Sequence, residues 1–204
     1  MKRDVNIAVL VSGGGTNLAA LIKAEQSGEL HSGKLALVVS NKADAYALTR
    51  AKEAGIPTVV VEKKHFADKA AFEAAIVEQL EQHEIDLIVL AGFMCILSEA
   101  FTRRFDKRIL NVHPSLIPSF CGEGFYGLKV HEAALSYGVK VTGATVHFVN
   151  EIPDGGEIIL QKAVEILEGD TPEVLQRRVM EQAEWKILPK ATELVAAKLK
   201  EKLL

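Results

Sequence analysis

Short apolar runs and helical segments alternate along the first half of this chain, and that rhythm limits the folds open to it. Ile7 to Val11 reads as a buried strand, followed by a glycine-rich turn and a helix from about Asn17 to Gln26. Leu35–Val39 is a second strand, with a helix through Ala45 to Ala54, and Thr58 to Val61 is a third. Phe72, Ile76 and Leu80 fall at helical spacing within a predicted helix from Phe72 to His83. Leu87–Ala91 and Ile109–Val112 supply a fourth and a fifth strand. Strands of four to eight residues joined by helices predict an α/β fold, a mostly parallel twisted sheet with helices on both faces. From about Lys140 the pattern changes. Val141–Val149 and Glu157–Glu165 predict a pair of antiparallel strands near the C-terminal part, joined by a loop that holds Asp154. A last helix is expected from Thr171 to Lys202, capped by Thr171 with Pro172 at its first position and interrupted at Pro189.

With 204 residues, 49% hydrophobic and 25% charged, the chain suits one domain with a substantial core. A net charge of −3 provides no positive field to recruit nucleic acid. Two cysteines, Cys95 and Cys121, are too few for a disulfide framework and lack metal-ligand spacing, and the six histidines do not cluster, so no metal is expected. The first apolar run is too short for a membrane span or for a signal segment with its cleavage site, so no membrane association and a cytoplasmic location are expected.

Two segments carry chemistry. Ser12-Gly13-Gly14-Gly15-Thr16-Asn17 joins the first strand to the first helix, where close backbone approach and a helix N-terminus suit a phosphate. It is a poor dinucleotide fingerprint. Leu18 stands where a third glycine belongs, and the second strand ends in Ser40-Asn41 with no acid to hold an adenosine ribose. The second segment is Asn111-Val112-His113-Pro114-Ser115-Leu116-Ile117-Pro118. Asn111 and His113 share one face of an extended strand, and Pro114 ends it. A neutral amide donor beside an imidazole suits a reaction that develops an oxyanion and moves a proton, and Asp154 offers a carboxylate. Each residue also has a plain structural use: a strand-end cap, a buried histidine, a turn aspartate before Gly155-Gly156.

Together these blocks resemble the phosphoribosylglycinamide formyltransferases, folate-dependent enzymes of purine synthesis. The likeness runs nearly end to end. It rests on the opening Ile7–Leu18, Ser40–Ala45, Leu90–Met94, Ile96–Ser98, the Asn111–Pro118 block, Gly143–Val149 and Asp154-Gly155-Gly156. The resemblance implies a single Rossmann-like formyltransferase domain over 1–204, with a ribonucleotide-phosphate half (1–110) and a catalytic, folate-binding half (111–204). It implies transfer of a formyl group from 10-formyltetrahydrofolate to the amine of glycinamide ribonucleotide. Asn111 would hold the formyl oxygen, His113 would stabilise the intermediate and move protons, and Asp154 would orient and charge-balance the imidazole. Gly15, Thr16 and Asn17 would hold the phosphate, and Glu184 would lie near the amine. Met94, Cys95, Ile96 and Leu97 would line the pterin pocket, with Lys69 in place of a family arginine at the folate. His147 is expected in a supporting role. Ser119–His131 is longer than the family's usual loop and is expected to form a mobile lid.

Competing expectations are a formyltetrahydrofolate hydrolase, which uses the same triad on water but carries an added N-terminal domain, and a methionyl-tRNA formyltransferase, which needs a further basic domain. A non-catalytic ribonucleotide-binding module would require the phosphate loop without the triad.

Overall fold

The computed structural model describes residues 3–202; Met1, Lys2, Leu203 and Leu204 lie outside the described residues. Seven strands form one sheet in the order β3-β2-β1-β4-β5-β6-β7. They are β1 (Val5–Val11), β2 (Gly33–Ser40), β3 (Thr58–Val60), β4 (Leu87–Leu90), β5 (Ile109–His113), β6 (Val141–Phe148) and β7 (Ile158–Glu165). The first five pair in parallel, whereas β6 runs antiparallel to both β5 and β7. This is the mixed sheet that the sequence predicts.

Side-chain alternation along β1 shows why the sheet is covered on both sides. Val5, Ile7, Val9 and Val11 enter one core, with Leu18 and Leu21 of α1 (Thr16–Ser27) and Leu188 and Ala191 of α7 (Trp185–Lys202). Ala8 and Leu10 enter the other, against Phe72, Ile76 and Leu80 of α3 (Lys69–Gln82) and Phe101 of α4 (Glu99–Arg104). A strand buried on both faces reads as a continuous apolar run, as β1 does. Helix α2 (Tyr46–Glu53) places Ala47 and Ala51 in the first core.

Three expectations need correction. Helix α4 is absent from the predicted elements; its six residues are too short to show a period, although Ser98 caps it by accepting from the Phe101 N–H. Ser119–His131 is not loop throughout. Helix α5 (Leu128–Tyr137) begins inside it and buries Val130, His131 and Ala134. The C-terminal helix is two helices, α6 (Pro172–Val179) and α7, joined by a π-helical turn at Met180–Glu184. Pro189 lies inside α7, so the break falls one turn before the proline rather than at it.

The turn after β4 is anchored from below. Buried Glu73 on α3 accepts from the Ser98 N–H at 2.8 Å and from the Ser98 hydroxyl. Replacing Glu73 with alanine leaves that N–H without its acceptor and should lower stability by about 1–3 kcal/mol. Urea denaturation measures it, and a loss below about 0.5 kcal/mol would remove the pair from the account of this turn.

Candidate active site

Strand β5 lies where the sheet changes direction. Its neighbour β4 is parallel and its other neighbour β6 antiparallel, and its C-terminal end carries Asn111 and His113. Across the ladder His147 stands in register with Asn111. The loop after β6 folds back and delivers Asp154, whose backbone has φ 55°, a left-handed conformation that aspartate tolerates.

Four side chains meet here. His113 Nδ1 lies 3.4 Å from Asp154 Oδ2, and His147 Nε2 lies 3.6 Å from Asp154 Oδ1. The Asn111 amide nitrogen is 3.2 Å from His147 Nε2 and donates to Asp154 Oδ1 at 3.5 Å. His147 Nδ1 donates to the Phe148 carbonyl at 2.8 Å, which turns Nε2 toward the Asn111 amide and Asp154 Oδ1. His147 and Asp154 together flank the Asn111 amide.

The loop before α5 also touches the cluster. His113 Nε2 donates to the Phe120 carbonyl at 2.9 Å, and the Gly122 N–H donates to Asp154 Oδ2 at 2.9 Å. Both ring nitrogens of His113 thus face acceptors, which suits an imidazolium. Burial acts against that charge and prevails over the attraction of Asp154, and the pKa of His113 sits below its ordinary value. A carboxylate neighbour by itself predicts a raised value; the depth of the site reverses the sign. Asp154 is half-buried, which favours its neutral form. The His147 hydrogen bond, the charge of His113 and the Gly122 N–H outweigh that, and its pKa is lowered. Cys121, in the same loop, has its thiol pushed up by burial and by Asp154, the opposite of an activated thiolate.

A cavity of about 900 Å³ opens over this cluster. Of the residues expected at the site, Asn111, His113, Asp154, Asn17, Glu184, Met94, Cys95, Ile96 and Leu97 line it. Leu97 belongs to the core, whereas Met94 and Ile96 are 55% and 63% exposed, so packing does not account for them. Lys69 lines a smaller adjoining hollow with Lys63, Phe72, Met94, Cys95 and Ile96, and its ammonium lies 3.7 Å from Glu73.

Gly15 and Thr16 do not line the cavity, whereas Asn17 does. Gly15 has φ 70°, and a Cβ there would lie 2.6 Å from the Ala47 Cβ, so its first duty is packing α1 against α2. At Gly13 and Gly14 an added Cβ meets nothing within 4 Å. Arg50 Nε holds the Gly14 carbonyl at 2.9 Å, and Ser12 Oγ accepts from the Met94 N–H at 2.8 Å, which ties this loop to the turn after β4. Thr16 Oγ1 reaches Met180 Sδ at 3.9 Å.

Also lining the cavity, Asn17 Nδ2 donates to Glu184 Oε2 at 2.8 Å. Both side chains are buried, and burial raises the Glu184 pKa, with the Asn17 hydrogen bond partly opposing it. The π turn carries this glutamate, consistent with the frequent placement of such turns at functional sites. Sequence reasoning gave His131 no role and missed the Phe120 carbonyl and the Gly122 N–H. Backbone groups carry no signal in a sequence, and His131 becomes notable when its burial is known.

Among the described residues no helix is long and apolar enough to cross a membrane. The formyl transferase family model matches residues 5–192. A phosphoribosylglycinamide formyltransferase of Haemophilus influenzae is 48% identical over 183 residues, which are 90% of this chain and 83% of that protein. The trifunctional purine biosynthetic protein adenosine-3 of Bos taurus is 48% identical over 96% of this chain, which spans 19% of that protein's length. Among solved structures, glycinamide ribonucleotide transformylase 1 of Symbiobacterium toebii superposes with a TM-score of 0.89 at 43% identity, over 96% of this chain and 89% of that one. Phosphoribosylglycinamide formyltransferase of Brucella melitensis does so with 0.87 at 42% identity, over 96% of this chain and 97% of that one. A family model that matches residues 5–192, with a relative 48% identical over 90% of this chain, places this chain in the formyl transferase family.

Proposed function

We propose that this chain transfers the formyl group of 10-formyltetrahydrofolate to the amine of glycinamide ribonucleotide, in the cytoplasm, as a step of purine synthesis. The observation that carries this is the convergence of an amide donor, an imidazole and a carboxylate, from β5 and the loop after β6, on one cavity. We take 1–204 as a single formyltransferase domain, its 1–110 half holding the ribonucleotide phosphate and its 111–204 half supplying the triad.

In this reaction the amine nitrogen bonds to the formyl carbon, and the carbonyl electron pair moves onto oxygen. The Asn111 amide N–H stabilises that oxyanion. His113, neutral at the outset because of its depth, gains the proton that the attacking nitrogen sheds, directly or through water. Asp154 and the Phe120 carbonyl flank the imidazolium that results. Collapse breaks the bond from the formyl carbon to the folate nitrogen, which takes the proton. Met94, Cys95, Ile96 and Leu97 line the pterin side, with Lys69 in contact with the folate, while Gly15, Thr16, Asn17 and Glu184 serve the ribonucleotide. No nucleic acid, membrane or metal takes part in this proposal.

Purified protein given both substrates should form formylated ribonucleotide. Release of formate at the same rate without ribonucleotide would instead mark a hydrolase. The phosphate loop has its own test. A valine at Gly14 meets open space, so it should weaken glycinamide ribonucleotide by roughly tenfold, the worth of a charge-assisted hydrogen bond, and leave folate binding unchanged. Gly15→Val should weaken both ligands and lower the melting temperature. Calorimetric titration of each ligand separates the two, and equal losses for Gly14→Val would remove the loop from phosphate binding.

A further inference from the structure

His131 is fully buried on α5, lines the cavity, and has no hydrogen-bond partner at Nδ1 or Nε2 among the described residues. A buried imidazole without partners is costly, because it has given up water for nothing. Packing does not require it, since Val130 and Ala134 already fill the buried face of α5 and a leucine or phenylalanine would serve beside them. Among the described residues, buried polar atoms without partners also occur at Asn17 Oδ1, Asn41 Oδ1, Thr142 Oγ1 and Trp185 Nε1. Of these, only Asn17 shares the cavity.

Helix α5 packs on α6, and α6 leads into the π turn that presents Glu184 to Asn17. Packing of α5 on α6 thus links the element that carries His131 to the one that presents Glu184 to Asn17, and all three residues line the one cavity. Burial, with the neighbouring His113, holds the His131 pKa down to about 4, so near neutral pH the ring offers one donor and one acceptor and no charge. Such a group is poorly suited to a phosphate, which calls for a cation or converging N–H groups. It matches an uncharged segment that both donates and accepts.

We propose that His131 is a binding residue for the acceptor substrate, hydrogen-bonded to its glycinamide arm. This rests on the formyl-transfer function above. The arm brings an amide N–H, a carbonyl and an amine. His131 lines the same cavity as His113 and feels its charge, which places it at the reacting end of the ribonucleotide rather than at its phosphate.

The test compares glycinamide ribonucleotide, ribose 5-phosphate (which lacks the arm) and tetrahydrofolate by calorimetry on the full chain. His131→Phe should weaken glycinamide ribonucleotide roughly tenfold or more, since a buried polar group of the ligand then loses its partner. Ribose 5-phosphate and tetrahydrofolate should bind within twofold of wild type. The melting temperature should stay level or rise, because an unsatisfied ring has been removed. His131→Gln, which keeps a donor and an acceptor, should retain ribonucleotide affinity within a few-fold, and His131→Leu replaces the phenylalanine variant if that one fails to fold. Unchanged ribonucleotide affinity in the apolar variant would overturn the assignment, as would equal losses for all three ligands. A wild-type protein that neither binds glycinamide ribonucleotide nor formylates it would sink the proposed function itself, whatever the variants do.

Discussion

Replacing Asn111 with alanine should lower kcat on the order of 10²–10³-fold and change ribonucleotide affinity little. That is the usual cost of removing one preorganised donor from a developing oxyanion. The geometry supports a specific loss. His147 Nε2, at 3.2 Å, and Asp154 Oδ1, at 3.5 Å, flank the amide, while Asn17 and Glu184 hydrogen-bond to each other. Single-turnover formyl transfer, with calorimetry for the ribonucleotide, separates the two quantities. A variant within a few-fold of wild type in kcat would take Asn111 out of the chemistry. His147→Phe gives the companion measurement. It keeps the bulk and removes the ring nitrogen that faces both the amide and Asp154, so part of the Asn111 effect should follow in kcat rather than in binding.

His113 and Asp154 should behave as one unit. They stand 41 positions apart in sequence and 3.4 Å apart in space. Alanine at either should be severe, and the double variant little worse than the worse single, because residues that act together are non-additive. Fully additive losses would break the pair. The pH profile adds a sign. Burial already lowers the His113 pKa against the pull of Asp154. In Asp154→Asn that pull is gone, so the pKa falls further. Activity that needs neutral His113 then persists to lower pH, and the acid limb of kcat/KM moves down while the plateau drops. A limb that moves up, or stays in place, would mean that another group sets it.

Much of this was legible beforehand, for definite reasons. Strands buried on two faces announce themselves as apolar runs, and Phe72, Ile76 and Leu80 are each at most 2% exposed, as their spacing requires. Asn111 and His113 sit at a strand end because Pro114 follows them. What escaped the sequence depends on pairing between distant segments. The place of His147 beside the Asn111 amide comes from the antiparallel register of β6 on β5, set after a long excursion through α5. The downward shift of His113 comes from depth, which has no local signature. Helix α5 hid behind Gly122, Gly124 and Gly127, which read as loop, and its N-cap Gly127 has no side chain to signal a start. At Gly15 the sequence suggested room for a ligand, whereas the neighbour that fills the space is Ala47 of α2.

The hydrogen bond between Asn17 and Glu184 spans 167 positions. At a synthesis rate of about 5–20 residues per second, roughly 10–30 s separate the emergence of its two ends from the ribosome. During that interval the first helix and the parallel strands have been made, yet one wall of the cavity does not exist. A nascent or truncated chain that ends before the π turn can hold much of the sheet but lacks Glu184 and the whole of α7. The cavity is thus a late product of folding, and a cut between β5 and α7 leaves neither fragment with a complete copy of it.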